Sequence, residues 1–263
     1  MPEGHNVHRT AGEFRKRFQG KAIDVSSPQG RFTDAGFISG SKLVSATAWG
    51  KQLFLDFEAA TLRIHLGIYG KWRFESFEDQ PPEPTGAVRA RFLADSMLAD
   101  LRGPTACELV SQEQLQALQH RLGPDPLRPD ASGSESRRFV ERVKKSTTAI
   151  GILLMNQEVL AGVGNVYRAE LLFRAGINPH TPGKLLSEEQ IAGLWFDAVS
   201  LMPLGVKTGL MLTRAGFLKG RPKIEDRYYV YKRQGLPCRQ CEKPIVIEMM
   251  ATRKLYYCAG CQR

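Results

Sequence analysis

Four of the five cysteines fall in the last 26 residues, as Cys238-x2-Cys241, sixteen intervening residues, then Cys258-x2-Cys261. Two such pairs, each on a tight turn, bring four soft sulfurs together, and four thiolates close a tetrahedron around Zn²⁺. A closed tetrahedron has no open position, so the expected metal is one structural zinc ion that holds the fold and does no chemistry. Two disulfides, or a redox pair, would use the same residues. Against disulfides, the chain opens MPEGHNVHRT, without an apolar signal segment to lead it into an oxidising compartment. Against a redox pair, there are two knuckles and no βαβ pattern around them.

Charge follows the cysteines. The chain carries a formal +10, and residues 214–263 hold 12 Lys+Arg against 4 Asp+Glu, so +8 of the surplus lies on and just before the ribbon. A small metal-stapled module with that balance reads as a binder of phosphate backbones, which makes nucleic acid the leading partner. No stretch approaches 18 consecutive apolar residues, so no membrane-spanning helix is expected.

Residues 123–136, GPDPLRPDASGSES, have the Pro, Gly, Ser and Asp content of a linker and no apolar periodicity. The expected domains are therefore 1–122, 137–226 and a ribbon over 227–263. Upstream, 51–57 and 61–66 alternate apolar and polar residues between Gly and Pro breaks, which predicts a mostly β first domain, a sandwich or barrel. An N-terminal helix is expected over Val7–Phe18. Downstream, Ser134-Glu-Ser136 should cap a helix running through Phe139 and Val143. Further helices are expected at Ile150–Met155, Val166–Phe173 and Ser187–Leu201, the last with a capping box from Ser187 to Gln190. The last fifty residues read as a short β-rich ribbon. The fold class is α+β in two domains, a β-sandwich and a helical domain that ends in the ribbon.

Between two of those helices runs Ala161-Gly-Val-Gly-Asn165. Gly162 and Gly164 allow a tight turn, and Asn165 opens a helix whose unpaired N–H groups favour an anion. The pattern is not GxxxxGK[ST], which excludes a P-loop. At the other end, loss of Met1 would expose Pro2 as a secondary amine, with a reference pKa of about 7.7–8.0 for an α-amino group. Such an amine can attack a sugar aldehyde carbon and form an iminium ion, which drains electrons from the neighbouring C–H. Glu3 stands beside it as an acid for ring opening.

MPEG at the start, Gly50-Lys51, Ala161–Asn165 and the four-cysteine ribbon occur in this order across the chain. Together they resemble the formamidopyrimidine-DNA glycosylase/endonuclease VIII family, in a form similar to actinobacterial endonuclease VIII. That resemblance implies a bifunctional base-excision repair enzyme, a DNA glycosylase for oxidised bases with associated lyase activity. It implies Pro2 as nucleophile and Schiff-base former, Glu3 as acid/base, and Lys51 as a catalytic lysine that contacts the phosphates beside the lesion and helps proton transfer. Asn165 and Arg253 take the places of the phosphate-binding asparagine and the hairpin arginine. Ile68 and Tyr69, in His65-Leu-Gly-Ile-Tyr-Gly70, take the place of the loop that fills the gap left by a flipped base.

The chain also departs from the family. Asn6 stands where many relatives carry a second glutamate, and His5 replaces a proline. Gly151 stands where purine-directed relatives often carry a lysine, which favours oxidised pyrimidines. Arg214–Arg227 matches the region of a lesion-covering loop without a readable code, and Cys107 is expected to be a buried small residue. A purine-directed glycosylase and a non-catalytic damage-binding protein remain alternatives, the second disfavoured by the joint presence of Pro2, Glu3 and Lys51. The implied partner is damaged DNA, bound by a monomer in the cytoplasm that meets the nucleoid through DNA.

Overall fold

In the computed structural model, which describes residues 2–263, helix α1 (Gly4–Phe18) turns Val7, Ala11, Phe14 and Phe18 to one buried face. This is the one-sided apolar stripe of a helix that covers a sheet. The Phe14 ring meets Trp72 and Phe92 edge-on, with centroids 4.9 and 5.7 Å away. The rest of the unit ending at His120 is built from β1 (Asp24–Ser26), α2 (Ala35–Ile38), β2 (Leu43–Trp49), β3 (Gln52–Phe57), β4 (Thr61–His65), β5 (Lys71–Ser76), β6 (Val88–Ala94), β7 (Met97–Arg102), β8 (Ala106–Val110) and α3 (Gln112–Arg121). The strands form two antiparallel sheets, in the orders β1-β6-β7-β5 and β2-β3-β4-β8, and both supply one core with α1. The expected β-sandwich is present. Cys107 lies half-buried on β8 against that core, and burial pushes its thiol up to about 12.

The second unit, Arg121–Arg263, holds α4 (Ser134–Lys144), α5 (Ile150–Leu153), α6 (Asn165–Arg174), α7 (Glu188–Thr208) and the hairpin β9 (Val246–Met250) and β10 (Arg253–Tyr257). Within it, α6 is the centre. Every residue from Asn165 to Phe173 is buried. Tyr167, Leu171 and Leu172 pack into the core made by α4, α5 and α7, while Ala169 and Phe173 pack against Val230, Cys238, Ile245, Tyr256 and Cys258 of the ribbon. One helix therefore belongs to two cores.

Several boundaries differ from the sequence expectation. Helix α1 starts at Gly4, because Glu3 is its N-cap. The 123–136 segment lies in the second unit, and Leu122–Pro126 are buried. Gly123 donates to Gln157 O at 2.8 Å, and a Cβ there would stand 2.7 Å from Val159 C. Its glycine serves close packing rather than flexibility. Helix α4 is capped by neither Ser134 nor Ser136; the Asp130 carboxylate accepts from the N–H groups of Glu135 and Ser136, at 3.1 and 2.9 Å. The Ser187–Gln190 capping box forms as expected, at 3.1 and 2.9 Å. Helix α7 then continues past Leu201 through Pro203 to Thr208. A proline removes the bond to the carbonyl four residues back, and that residue, Val199, is exposed enough for water to replace it. Strands in the last fifty residues cover only Val246–Met250 and Arg253–Tyr257.

The fully buried Glu170 of α6 joins the two cores. Its carboxylate accepts from the backbone N–H groups of Tyr229, Val230 and Tyr231 at 2.8, 2.9 and 2.9 Å, and from the Thr213 hydroxyl at 2.7 Å. Burial pushes its pKa up, and these four donors pull it the other way. Glu170→Gln presents an NH₂ where only acceptors are wanted. It should lower the stability of the second unit by about 2–4 kcal/mol in urea denaturation; a loss under about 0.5 kcal/mol would show that the donors do not need the charge.

Candidate active site and nucleic-acid interface

In the first unit, Glu3 is 0% exposed, and Pro2 directly precedes it with partial exposure. The Asn6 Oδ1 accepts the Glu3 backbone N–H at 3.0 Å, one half of a capping box at the start of α1. Asn6 thus ties the residue beside Pro2 to the helix. Next to it His5 is 1% exposed, and burial, then the neighbouring His8, lowers its pKa to about 4.

Lys51 lies in the two-residue turn between β2 and β3, where Trp49 pairs with Gln52 and Gly50 takes φ +58°. A positive φ at the first turn position is what such hairpins demand, so Gly50 is required for Lys51 to stand at the tip. The His65 Nδ1 lies 3.0 Å from the Lys51 carbonyl oxygen. Burial lowers the His65 pKa, so the ring is neutral at pH 7 and its Nδ1–H donates to that carbonyl.

Contacts at the C-terminal end of α1 show which end of the unit this turn shares. The Arg15 Nη1 donates to Ala46 O at 2.5 Å, and Gly20 N to Leu43 O at 2.8 Å, so α1 runs opposite to β2. From Arg15 back to Glu3 is about 18 Å at helical rise. From Ala46 forward to Lys51 is about 17 Å at strand rise. Pro2, Glu3 and Lys51 therefore share one end of the sandwich.

The 66–70 loop follows β4 directly. Gly70 N donates to Leu66 O at 2.9 Å. Gly67 takes φ +64°, and a Cβ on it would stand 1.9 Å from Thr105 Oγ1. The turn is thus held against the 103–105 segment, with Tyr69 83% and Ile68 44% exposed. Neither packs in the β core.

In the second unit, the Gln157 side chain shapes the glycine turn before α6. Its Nε2 donates to Val163 O at 3.0 Å, and its Oε1 accepts from Gly162 N at 2.9 Å. Asn165 opens α6, and its Nδ2 donates to Lys254 O at 2.9 Å. Arg168, one turn further, donates to Asn165 Oδ1 and, at 3.0 Å, to the same Lys254 carbonyl. Lys254 follows Arg253 on β10, whose turn places Ala251 at φ +52°. Asn165 and Arg253 are thereby brought to one locality. A Cβ on Gly151 would stand 2.7 Å from Met250 Sδ and 3.0 Å from Pro179 O, so a side chain at 151 would have to displace the Met250 side chain and crowd the Pro179 carbonyl. The 214–227 segment is closed at its base by Thr213 N and Arg214 N, both donating to Arg227 O, and Arg214 lies over the Phe217 ring at 4.3 Å.

The four ribbon cysteines form one cluster whose sulfurs lie within 4.8 Å of one another. Cys238 and Cys261 are 3.8 Å apart, and Cys241 and Cys258 are 3.4 Å apart. A tetrahedron with metal–sulfur bonds of about 2.3 Å has sulfur–sulfur edges of about 3.8 Å. The donor set and its spacing fit one tetrahedral metal ion. The Gln262 amide braces it, accepting from Cys258 N at 2.8 Å and donating to Ile177 O at 3.0 Å.

Sequence reasoning missed Gln157, His65, Arg168, Glu170 and Gln262. The only signal for Arg168 was its spacing three residues after Asn165.

This architecture is matched by known proteins along its whole length. The formamidopyrimidine-DNA glycosylase N-terminal domain matches residues 1–107, and the formamidopyrimidine-DNA glycosylase H2TH domain matches 122–215. Endonuclease 8 1 of Mycobacterium tuberculosis (strain ATCC 25618 / H37Rv) is 43% identical over 271 residues, covering 100% of both chains. The crystal structure of the MutM (Fpg) protein from Thermus thermophilus superposes with a TM-score of 0.79 at 27% identity, covering 99% of this chain and 98% of that one. Wild-type Lactococcus lactis Fpg (MutM), solved with N7-benzyl-Fapy-dG DNA, gives a TM-score of 0.82 at 25% identity over 100% of both. The chain belongs to the formamidopyrimidine-DNA glycosylase/endonuclease VIII family of DNA glycosylase/AP lyase enzymes, and is similar to its actinobacterial endonuclease VIII members. No helix among the described residues is long and apolar enough to cross a membrane.

The burial of His5 should make the first unit acid-sensitive. Its folded pKa of about 4 lies below the ordinary value of 6.5, so the unfolded chain binds more protons between those values. Stability should fall as pH drops from about 6.5 to 4, by roughly 3 kcal/mol from this group. His5→Gln should flatten that slope in denaturation curves at pH 7 and pH 5; an unchanged slope would assign the acid sensitivity to other groups.

Proposed function

We propose that this enzyme removes oxidised pyrimidine bases from DNA and cuts the strand at the resulting site by β,δ-elimination. The observation that carries the reading is Glu3, a carboxyl group fully withdrawn from water beside Pro2, at the same end of the sandwich as Lys51. Once Met1 is removed, the Pro2 nitrogen attacks C1′ of the damaged nucleoside, and the base leaves with its bonding electrons and takes up the proton that the Pro2 nitrogen sheds on becoming a tertiary amine. Glu3 protonates the ring oxygen as the sugar opens, which leaves Pro2 joined to C1′ as an iminium ion. Loss of the C2′ proton then expels the 3′ phosphate, a second elimination expels the 5′ phosphate, and water hydrolyses the imine. Negative charge builds on both phosphates. Lys51, Asn165 and Arg253 are the donors we assign to them.

Ile68 and Tyr69 are the assigned wedge. An exposed apolar residue beside an exposed ring, on a loop stiffened by Gly67 and Gly70, suits the gap left by an extruded nucleotide. The pyrimidine preference rests on Gly151, which offers no cationic side chain where purine-directed relatives often carry a lysine, and on the 43% identity with a protein called Endonuclease 8 1. Cys238, Cys241, Cys258 and Cys261 would hold one Zn²⁺, which supplies rigidity to the ribbon when bound. In this division residues 1–122 carry the nucleophile, 137–226 and 227–263 grip the backbone, and damaged chromosomal DNA in the cytoplasm is the partner.

Borohydride added during reaction with a thymine-glycol duplex should yield a covalent adduct, mapped by peptide mass spectrometry to Pro2. Retention of Met1 should lower trapping at least about a hundredfold, since the nucleophile itself is then blocked. An adduct elsewhere, or faster excision of 8-oxoguanine opposite cytosine, would contradict the proposal. Metal analysis should find one zinc per chain. Stripping it with a chelator should weaken duplex binding at least about tenfold, because a ribbon of this size folds on its metal; unchanged binding by zinc-free protein would refute that role.

A further inference from the structure

Arg168 is a large, fully buried side chain with a charge, placed in the first turn of α6. Neither the site nor simple stability explains that placement. The positive end of a helix dipole disfavours a cation there, and removing a guanidinium from water is costly. A methionine would fill the same space without either cost. What the guanidinium does that a methionine would not is donate to three chain segments at once: Asn165 Oδ1, Lys254 O at 3.0 Å and Gly151 O at 3.5 Å.

Two of these bonds bear on the phosphate contacts. A carboxamide has two orientations that differ by exchange of its oxygen and nitrogen. Guanidinium has only donors, so the flipped amide would set NH₂ against N–H. Arg168 therefore admits one orientation of Asn165, with the oxygen turned inward. One Nδ2 hydrogen then goes to Lys254 O, which leaves the second one for an anion at the α6 N-terminus. Because Lys254 follows Arg253, the same guanidinium also sets the strand position from which Arg253 projects.

We propose that Arg168 is a positioning residue for phosphate recognition: it fixes the Asn165 amide and the Lys254 carbonyl together, so that Asn165 and Arg253 meet the DNA backbone as one preset grip. The proposal rests on the assignment of Asn165 and Arg253 as phosphate contacts.

The test is a double-mutant cycle on the full-length, metal-loaded protein, read as affinity for a duplex carrying a tetrahydrofuran abasic-site analogue. Asn165→Ala and Arg168→Met should each weaken binding about tenfold, the scale of a charge-assisted hydrogen bond. The double variant should be no more than about threefold weaker than the weaker single, because both remove one shared element. Multiplication to about a hundredfold, or wild-type binding by Arg168→Met, would overturn the proposal. Wild-type binding by Asn165→Ala would instead overturn the phosphate assignment itself. A merely structural arginine would lower the thermal midpoint while leaving affinity intact well below it. If Arg168→Met does not fold, Arg168→Lys serves: one ammonium cannot reproduce the two-acceptor fork. It should bind about threefold to tenfold more weakly, again without multiplying with Asn165→Ala, and full wild-type affinity would contradict the role.

Discussion

The burial of α6 from Asn165 through Phe173 is the constraint from which the second unit follows. A helix with no solvent-facing side has to satisfy each of its polar side chains inside the protein, because an unpaired buried donor or charge is strongly destabilising. Asn165, Arg168 and Glu170 are three such groups within six residues. Asn165 and Arg168 commit the Lys254 carbonyl on β10, and Glu170 commits three consecutive amides at 229–231 together with Thr213. Every one of these bonds ties α6 to a segment near the ribbon. The need to hydrogen-bond buried polar groups thus fixes where the hairpin, and with it Arg253, stands relative to Asn165.

The ribbon completes its small apolar core with residues from outside it. Phe173 and Ala169 of α6 supply part of it, and Cys238 and Cys258 count among its buried residues. The cysteine cluster and the helix contact are consequently two halves of one structure. The Gln262 amide, held between Cys258 N and Ile177 O, makes that physical connection explicit. In the first unit the equivalent organising element is α1. Its aromatic face rests on the sandwich, and its N-cap is Glu3, so the position of the proposed acid follows from helix packing.

The features legible in the sequence were those encoded by local chemistry. Cysteine spacing reports a metal cluster because a knuckle is a turn of fixed length. Ser187 and Gln190 report a helix start because a capping box is three residues long. What escaped were choices made by tertiary contact. Residues 123–136 have linker composition, yet Gly123 is there for close approach to Val159, which composition does not encode. Pro203 reads as a helix end, but neighbours hold the helix beyond it, and the lost bond falls on an exposed side. Arg168 reads as a surface charge on a helix, and only the fold reveals a carbonyl 86 residues away waiting for it. The nearby Gly151 reads as a departure from the family pattern, but its tight contact with the Met250 side chain comes from a hairpin still farther along the chain.

Hydrogen exchange on the metal-loaded enzyme tests the central claim, that α6 and the hairpin are one cooperative unit. The amides of Tyr229, Val230 and Tyr231 and those of β9 and β10 should exchange with the same opening free energy as the central amides of α6. Hairpin amides that exchange orders of magnitude faster than α6, with the metal in place, would mean that the two proposed phosphate contacts are independent, and would contradict the account.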